Sequence, residues 1–518
     1  MGGAGLVALI ACALLAAGCG SSEQSSEASP PTGDAPVGGT LTIAQLAVNP
    51  NLNPAATPGF PGDQNVQLAY ESLMRVGPGG KIEPGLALAM TPSEGNSQWQ
   101  IKLRPDVKFS DGSAVTAQSV VNYLKYAKTL GSFPELLTVK SMTATGPTTV
   151  TIKLSAPNPS LDWSMSQAGL QLGMIIGPDG LAKPAALANT TDGAGPYMLD
   201  SASTILNNTY TYVPNPHYFA KDRQHYEKIV IKVIPNPNAA LNAVKTGQVE
   251  VAQGDPQSAE AAKASGLEVY SSSSYTAGIS LLDRGGQLVP ALGDPRVRQA
   301  LNLAVDREGI TSAVYGSLGT PTAQIAVPET AGDVPKLDDH YPYDPEAAKR
   351  LLDEAGYGNG FTMTAIFPPK PVDLNMAQAI ADEYKKIGVT LELKSEPTQN
   401  AYSTDVLSGK YPAYIDLLGG AGPVNVMLAY WYLPTGLNPF KQTDKTVADL
   451  NQKLIVAPRD QQEAIGRQII THLTETGADV PITTVPTVYF SNNTVDGIDM
   501  YSAAANGSPD FAEITPAQ

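Results

Sequence analysis

Cysteine is nearly absent from this chain of 518 residues: there are two, Cys12 and Cys19, both within the first twenty positions. The remainder therefore has no disulfide framework, no thiolate zinc site and no cysteine nucleophile. Histidine is almost as scarce. Its four copies (His217, His225, His340, His472) are scattered, and the spacing of the nearest pair fits no compact metal motif. No G-x-S-x-G and no H-E-x-x-H string occurs, so neither a nucleophile elbow nor a zinc-binding helix is offered. Neither an enzymatic role nor a cofactor or metal is expected. Basic residues are few, 33 Lys and Arg against 49 Asp and Glu, for a formal net charge of −16. Nucleic acid or an anionic bilayer as main partner would need clustered cations, and the composition argues against both.

What is present is globular. Hydrophobic residues make up 42% of the chain, an ordinary share. Its length exceeds the roughly 100–200 residues of one domain, which predicts two or three lobes. Residues 1–18 are an uncharged apolar run ending in small residues, short for a membrane span of about 20 apolar residues but suited to a signal-peptide core. Residues 19–37, rich in Ser, Pro, Gly and Glu, cannot bury a core and predict a tether. Alternating strands and helices follow from residue 38, the pattern of α/β lobes. Strands are expected at Gly39–Ala47, Trp99–Leu103, Val150–Leu154, Ile229–Ile234 and Tyr275–Asp283, and a helix at Thr116–Ala127.

The chain's most informative stretch is Asp294–Ile310, DPRVRQALNLAVDREGI. Asp294 before Pro295 is a helix start. Val297, Ala300, Leu301 and Ala304 then recur on one apolar face, with Arg296 and Arg298 off it and Gly309 expected to end the helix. Other strings stand in order around it: Tyr70–Ala87 (YESLMRVGPGGKIEPGLA), LRPDVKFSDG ending at Gly112, Thr191–Tyr197 (TDGAGPY), Val213–Phe219 (VPNPHYF), Asn238–Val251 and Tyr343–Tyr357 (YPYDPEAAKRLLDEAGY in its wider context). Together they resemble the dipeptide/oligopeptide/nickel-binding family of extracytoplasmic solute receptors that serve ABC importers. Leu15–Cys19 resembles a bacterial lipobox, which implies lipidation of Cys19 and anchoring to the outer face of the cell membrane.

The resemblance implies an α/β, bilobal periplasmic-binding-protein-like fold of type II with an extra inserted α/β domain and a cleft between the lobes. Lobe I would take 38–66, 193–282 and 486–518, the insert 67–192, and lobe II 283–485. It further implies a monomer that captures a solute, a peptide in the commonest case, and hands it to permease subunits in the membrane. Peptide binders of the family hold the ligand's ammonium with an aspartate in a G-W-x-x-D-x-x-D-P loop. Here Gly419–Pro423 stands in its place, with Asp416 just before it. Lys370, in FPPKPVD, stands where short-peptide binders carry a cation for the terminal carboxylate, although a solvated lysine fits a Pro-rich loop equally well. Trp431, Tyr275 and Tyr414, with Tyr430 behind them, are candidate aromatic walls; Asn53 and Gly420 complete the expected ligand contacts. The altered loop leaves open a non-peptide solute, such as an oligosaccharide, and a regulatory lipoprotein without transport.

Overall fold

Strand Gly38–Gln45 opens the folded part, its side chains alternating between two cores: Leu41 and Ile43 enter one, Ala44 the other. This is a computed structural model; it describes residues 38–56, 63–77, 80–169, 171–420, 422–434, 438–500 and 507–518. The apolar leader, the tether and Cys19 lie outside the described residues. Among the described residues, no helix is long and apolar enough to cross a membrane.

Ten strands make one mixed sheet, in the order Thr390–Ser395, Thr362–Phe367, Ala413–Gly420, Glu268–Leu281, Val480–Ser491, Val251–Gly254, Gly38–Gln45, Tyr226–Val233, Thr209–Pro214 and Tyr197–Leu199. Its middle is a long antiparallel pair running from Glu268 opposite Ser491 to Ile279 opposite Val480. At one end Val480–Ser491 also pairs with Val251–Gly254, and at the other Glu268–Leu281 pairs with Ala413–Gly420. Two strands thus carry the chain from one half of the sheet to the other, and 480–491 runs through the point (485/486) at which a lobe boundary was expected. Register shifts interrupt this pair between Ser273 and Tyr275 and between Ala277 and Gly278. Such bulges bend a strand and re-aim its side chains.

A separate antiparallel sheet, Ala87–Ser93, Gln98–Leu103, Thr149–Leu154 and Val139–Gly146, lies within the stretch 67–192. Helix Ala117–Leu130 shares a core with it, Val120, Val121 and Leu124 meeting Trp99, Ile101 and Ile152. The helix starts where Thr116 accepts from the Ser119 amide while Ser119 accepts from the Thr116 amide, and it stops at Gly131 in the left-handed region.

The stretch that organised the sequence is two helices. Asp294 caps Pro295–Leu303, and Asp306 caps Arg307–Tyr315 by accepting from the Gly309 amide. Gly309 therefore lies in the first turn of a second helix instead of ending the first; Gly316 closes it. Val297, Ala300, Leu301 and Ala304 are buried as their spacing predicts. Arg296 is exposed, but Arg298 is not: only 7% of it reaches solvent. Its guanidinium donates to the carbonyls of Leu292, Thr476 and Gly477, so off the apolar face does not here mean toward water. An Arg finds carbonyl acceptors as readily as a carboxylate, and periodicity cannot tell the two apart.

Candidate ligand-binding site

Strand Ala413–Gly420 sends alternate side chains to opposite faces: Ala413 and Ile415 join one core, Tyr414 and Leu418 another. At its end the chain must pass close under another segment. A Cβ at Gly419 would lie 2.2 Å from the Ile325 carbonyl oxygen, so only glycine fits there. Gly422 and Pro423 then lead into helix Val424–Trp431. A Cβ on Gly422 would approach the ring of Trp163 to 3.0 Å. The glycines that replace the acidic loop thus allow a close approach between this loop and residue 163 of the stretch 67–192.

Between these two sides is a cavity of about 280 Å³. Tyr275, Gly420, Gly422, Val426, Met427, Tyr430 and Trp431 form one wall, and Glu135 and Trp163 form the other, with Ser274 at the strand. The bulge before Tyr275 sets that side chain. Burial, with Asp63 nearby, pushes its hydroxyl up to about 12, so it remains a neutral donor. The indole N–H of Trp431 donates 3.0 Å to the Tyr414 hydroxyl, which in turn donates to the Leu417 carbonyl. Tyr414 is itself buried and stands behind Trp431, fixing the indole's orientation.

The two sides also touch outside the cavity. The Asn96 amide donates to the Ile455 and Ala457 carbonyls at 3.0 and 3.1 Å. Ser160 donates to Asn425 at 2.7 Å, and Arg459 pairs with Asp162. These contacts tie the stretch 67–192 to residues 425–459 beside the cavity.

Of the expected ligand contacts, Tyr275, Gly420 and Trp431 line the cavity. Lys370, Asp416, Tyr414 and Asn53 do not. The Asn53 side chain is committed internally, donating to the Tyr126 hydroxyl at 2.7 Å and accepting from the Ala55 amide. Lys370 and Asp416, expected to meet opposite ends of a ligand, meet each other: Lys370 Nζ is 3.7 Å from Asp416 and 3.8 Å from Asp373. Each charge thus has an opposite charge nearby, while the Lys370 side chain remains about half exposed at 49%. Trp163 and Glu135 went unforeseen. They belong to a short-helix region, 134–137 and 161–164, with no motif of its own, and only tertiary packing brings them to Gly422.

Burial pushes the Asp373 carboxyl up to about 7, helped by Asp416 and opposed by Lys370. A carboxyl near pH 4 when unfolded and near 7 when folded binds its proton more tightly in the native state. Its contribution to stability is full below about pH 4 and is lost as pH rises through 7. Asp373→Asn is therefore expected to match the parent's urea midpoint near pH 4.5 and exceed it at pH 8, as denaturation at the two pH values will show. An equal midpoint at pH 8 would refute the assignment.

The fold and the cavity define a solute receptor, and the comparisons agree. The family model of bacterial extracellular solute-binding proteins, family 5 Middle, matches residues 81–439, and the chain belongs to that family, one of receptors rather than enzymes. It is 28% identical over 348 residues to Heme-binding protein A of Haemophilus influenzae, covering 60% of this chain and 61% of that one. To the periplasmic murein peptide-binding protein MppA of Escherichia coli it is 26% identical over 374 residues, 66% of each chain. Its match to relatives from Brucella ovis and Brucella abortus, 26% identical over 336 residues, spans 62% of their length. Among solved structures, HbpA2 from Haemophilus parasuis superposes with a TM-score of 0.77 at 22% identity, over 92% of this chain and 100% of that one. DppA from Helicobacter pylori, in complex with the peptide STSA, gives 0.74 at 20% identity, over 93% and 99%. These likenesses show the bilobal type II fold expected above.

Proposed function

We propose that the chain is the solute receptor of an ABC importer, capturing a ligand between the stretch 67–192 and the loop 419–431 and delivering it to permease subunits in the membrane. The observation that carries this reading is a cavity walled by two parts of the chain, Glu135 and Trp163 on one side and Tyr275, Gly420, Gly422 and Trp431 on the other. Ligand would be selected by its greater affinity for the closed arrangement. A peptide is the favoured solute, as the names of MppA and the DppA complex suggest. The second reading, a solute without a free ammonium such as an oligosaccharide, is favoured by the loop in which glycines replace both aspartates and by the internal pairing of Asp416 with Lys370. The leader places the protein outside the cytoplasmic membrane, held by lipid on Cys19 as a monomer on the tether 19–37. The division into lobe I, insert and lobe II given above is part of the same proposal.

A thermal-shift screen with pooled di- to pentapeptides and oligosaccharides tests the function. Ligand at 100 times its Kd stabilises a native-selective receptor by about 2.7 kcal/mol, so the melting temperature should rise with one class. No shift with any class, in protein stripped of retained ligand, would transfer the case to a regulatory lipoprotein. Cys19→Ala is expected to move the protein from the detergent-rich to the aqueous phase in Triton X-114 partitioning; unchanged partitioning would rule out the anchor.

A further inference from the structure

Glu135 supplies the one carboxylate among the described residues lining the cavity. It projects from the single-turn helix Pro134–Leu137 toward walls that are otherwise aromatic and apolar, with Trp163 beside it and Tyr430 and Met427 opposite. The residue as a whole is half-buried, but its two oxygens differ. Oε1 accepts from the Ser164 hydroxyl at 3.3 Å, whereas Oε2 is shielded from solvent and has no hydrogen-bond partner. Among the described residues, its one side-chain partner is the neutral Ser164 hydroxyl, and no cation pairs with it. Burial holds its carboxyl above the usual range, with its own backbone amide and Ser164 opposing. Leaving a shielded carboxylate oxygen unmet in an apolar cavity is costly, and a donor brought by the ligand would remove the cost.

We infer that Glu135 is a ligand contact that selects for a protonated amine carried next to an apolar group. This rests on the reading of the chain as a solute receptor and specifies what that receptor takes. The ammonium would donate to Oε2 while Trp163, Tyr430 and Trp431 enclose the apolar part and offer ring faces to the positive charge. A volume of about 280 Å³ lies just under the roughly 300–1,000 Å³ of pockets that enclose whole drug-sized ligands. The enclosed part is therefore small: an ammonium and one aromatic or branched side chain. The N-terminus of a peptide with an apolar first residue and a free arylalkylamine share that chemistry.

Calorimetric titration of the purified protein with L-Phe-L-Ala, its N-acetyl form, phenethylamine and phenethyl alcohol separates them. The amine is expected to bind about 10- to 100-fold more tightly than its neutral counterpart, the range of a charge-assisted hydrogen bond in a closed site. Glu135→Gln, which keeps size and the contact to Ser164, should reduce that ratio to near one; Glu135→Asp, which keeps the charge, should retain part of it. Discrimination in the dipeptide pair alone identifies a peptide N-terminus as the source, and discrimination in the phenethyl pair a free amine. Discrimination that survives Glu135→Gln, or equal binding of amine and neutral ligand to the parent, overturns the inference. If only neutral solutes bind, this inference falls and the receptor reading stands; if no solute of any class binds, both fall.

Discussion

Arg307→Met is expected to lower the stability of the protein by on the order of 4 kcal/mol. Arg307 opens the second helix of the organising stretch and is buried. Among the described residues its guanidinium has no carboxylate partner; it is met by carbonyls instead. Nε donates to Thr322 and Pro481, Nη1 to Asn302 and Tyr341, and Nη2 to the Asn302 side chain, at 2.8–3.2 Å. Burial lowers its pKa to about 10, so the cation persists at neutral pH. Five hydrogen bonds to a charged donor hold together the helix pair, the crossing strand at Pro481 and the segments at Thr322 and Tyr341. Methionine fills the volume but leaves these acceptors without a donor. Urea denaturation with an unchanged slope and a much lower midpoint is the expected result. A midpoint equal to the parent's would show that water or relaxation replaces the cation.

How much of this was legible beforehand differs from residue to residue. Asp294, Pro295 and the 297/300/301/304 face could be read directly, because capping and periodicity are local. The ordered strings around them made the fold legible too, since each string marks a turn or cap that the backbone requires. Arg307 and Arg298 were visible as letters but not as buried hubs: their acceptors lie up to 179 positions away. The site was legible only on one side. Gly420 and Trp431 flank the loop that departs from the family string, and Tyr275 lies on the neighbouring strand Glu268–Leu281, where an aromatic residue in an alternating run stands out. Trp163 and Glu135 sit in short turns where no period of 2 or 3.6 can develop, so nothing local singles them out. Lys370 stands before helix Pro371–Lys386 and Asp416 in the middle of strand Ala413–Gly420, and sequence cannot show that two charges 46 positions apart come within 3.7 Å of each other.

The second large effect concerns the network that ties the chain's end to its beginning. Arg223 reaches Glu71 at 2.9 Å, Asp510 at 2.8 Å and Glu513 at 2.6 Å, and also donates to Tyr218. Arg75 adds contacts to Asp510 and Glu513 at 2.9 and 3.1 Å. Burial opposes ionisation of Asp510, yet Arg223 and Arg75 outweigh it and hold the carboxyl below its usual range. Two cations thus share three carboxylates, and Glu71 keeps only 7% of its side chain in water. Arg223→Met would take from Glu71 its one direct ion pair among the described residues and leave it the Tyr218 hydroxyl at 2.6 Å and the Ser72 amide at 3.2 Å. Removing one partner from a buried ion pair costs about 3–5 kcal/mol, far more than the pair itself contributes. The loss should be nearly independent of salt, because the groups are shielded. It should also grow as pH rises through the ordinary carboxylate range, because Asp510, held below that range by Arg223 and Arg75 in the parent, loses part of that stabilisation. Chemical denaturation at pH 4 and pH 7 reads both features; a loss under 1 kcal/mol at pH 7 would mean the network is a solvated surface cluster.

Ligand capture in the cavity between Trp163 and Trp431 is the central claim, and tryptophan fluorescence measures it most directly. The chain has three tryptophans. Trp163 and Trp431 line the cavity, while Trp99 is buried in the core of the small sheet with its indole N–H on the Asn158 carbonyl. Titration with a solute that raises the melting temperature should shift the emission of the parent protein and leave the Trp163→Phe/Trp431→Phe double variant, which keeps Trp99, unchanged. A shift of equal size in that double variant, or calorimetric binding with no change in the parent's emission, would place the ligand elsewhere and contradict the account.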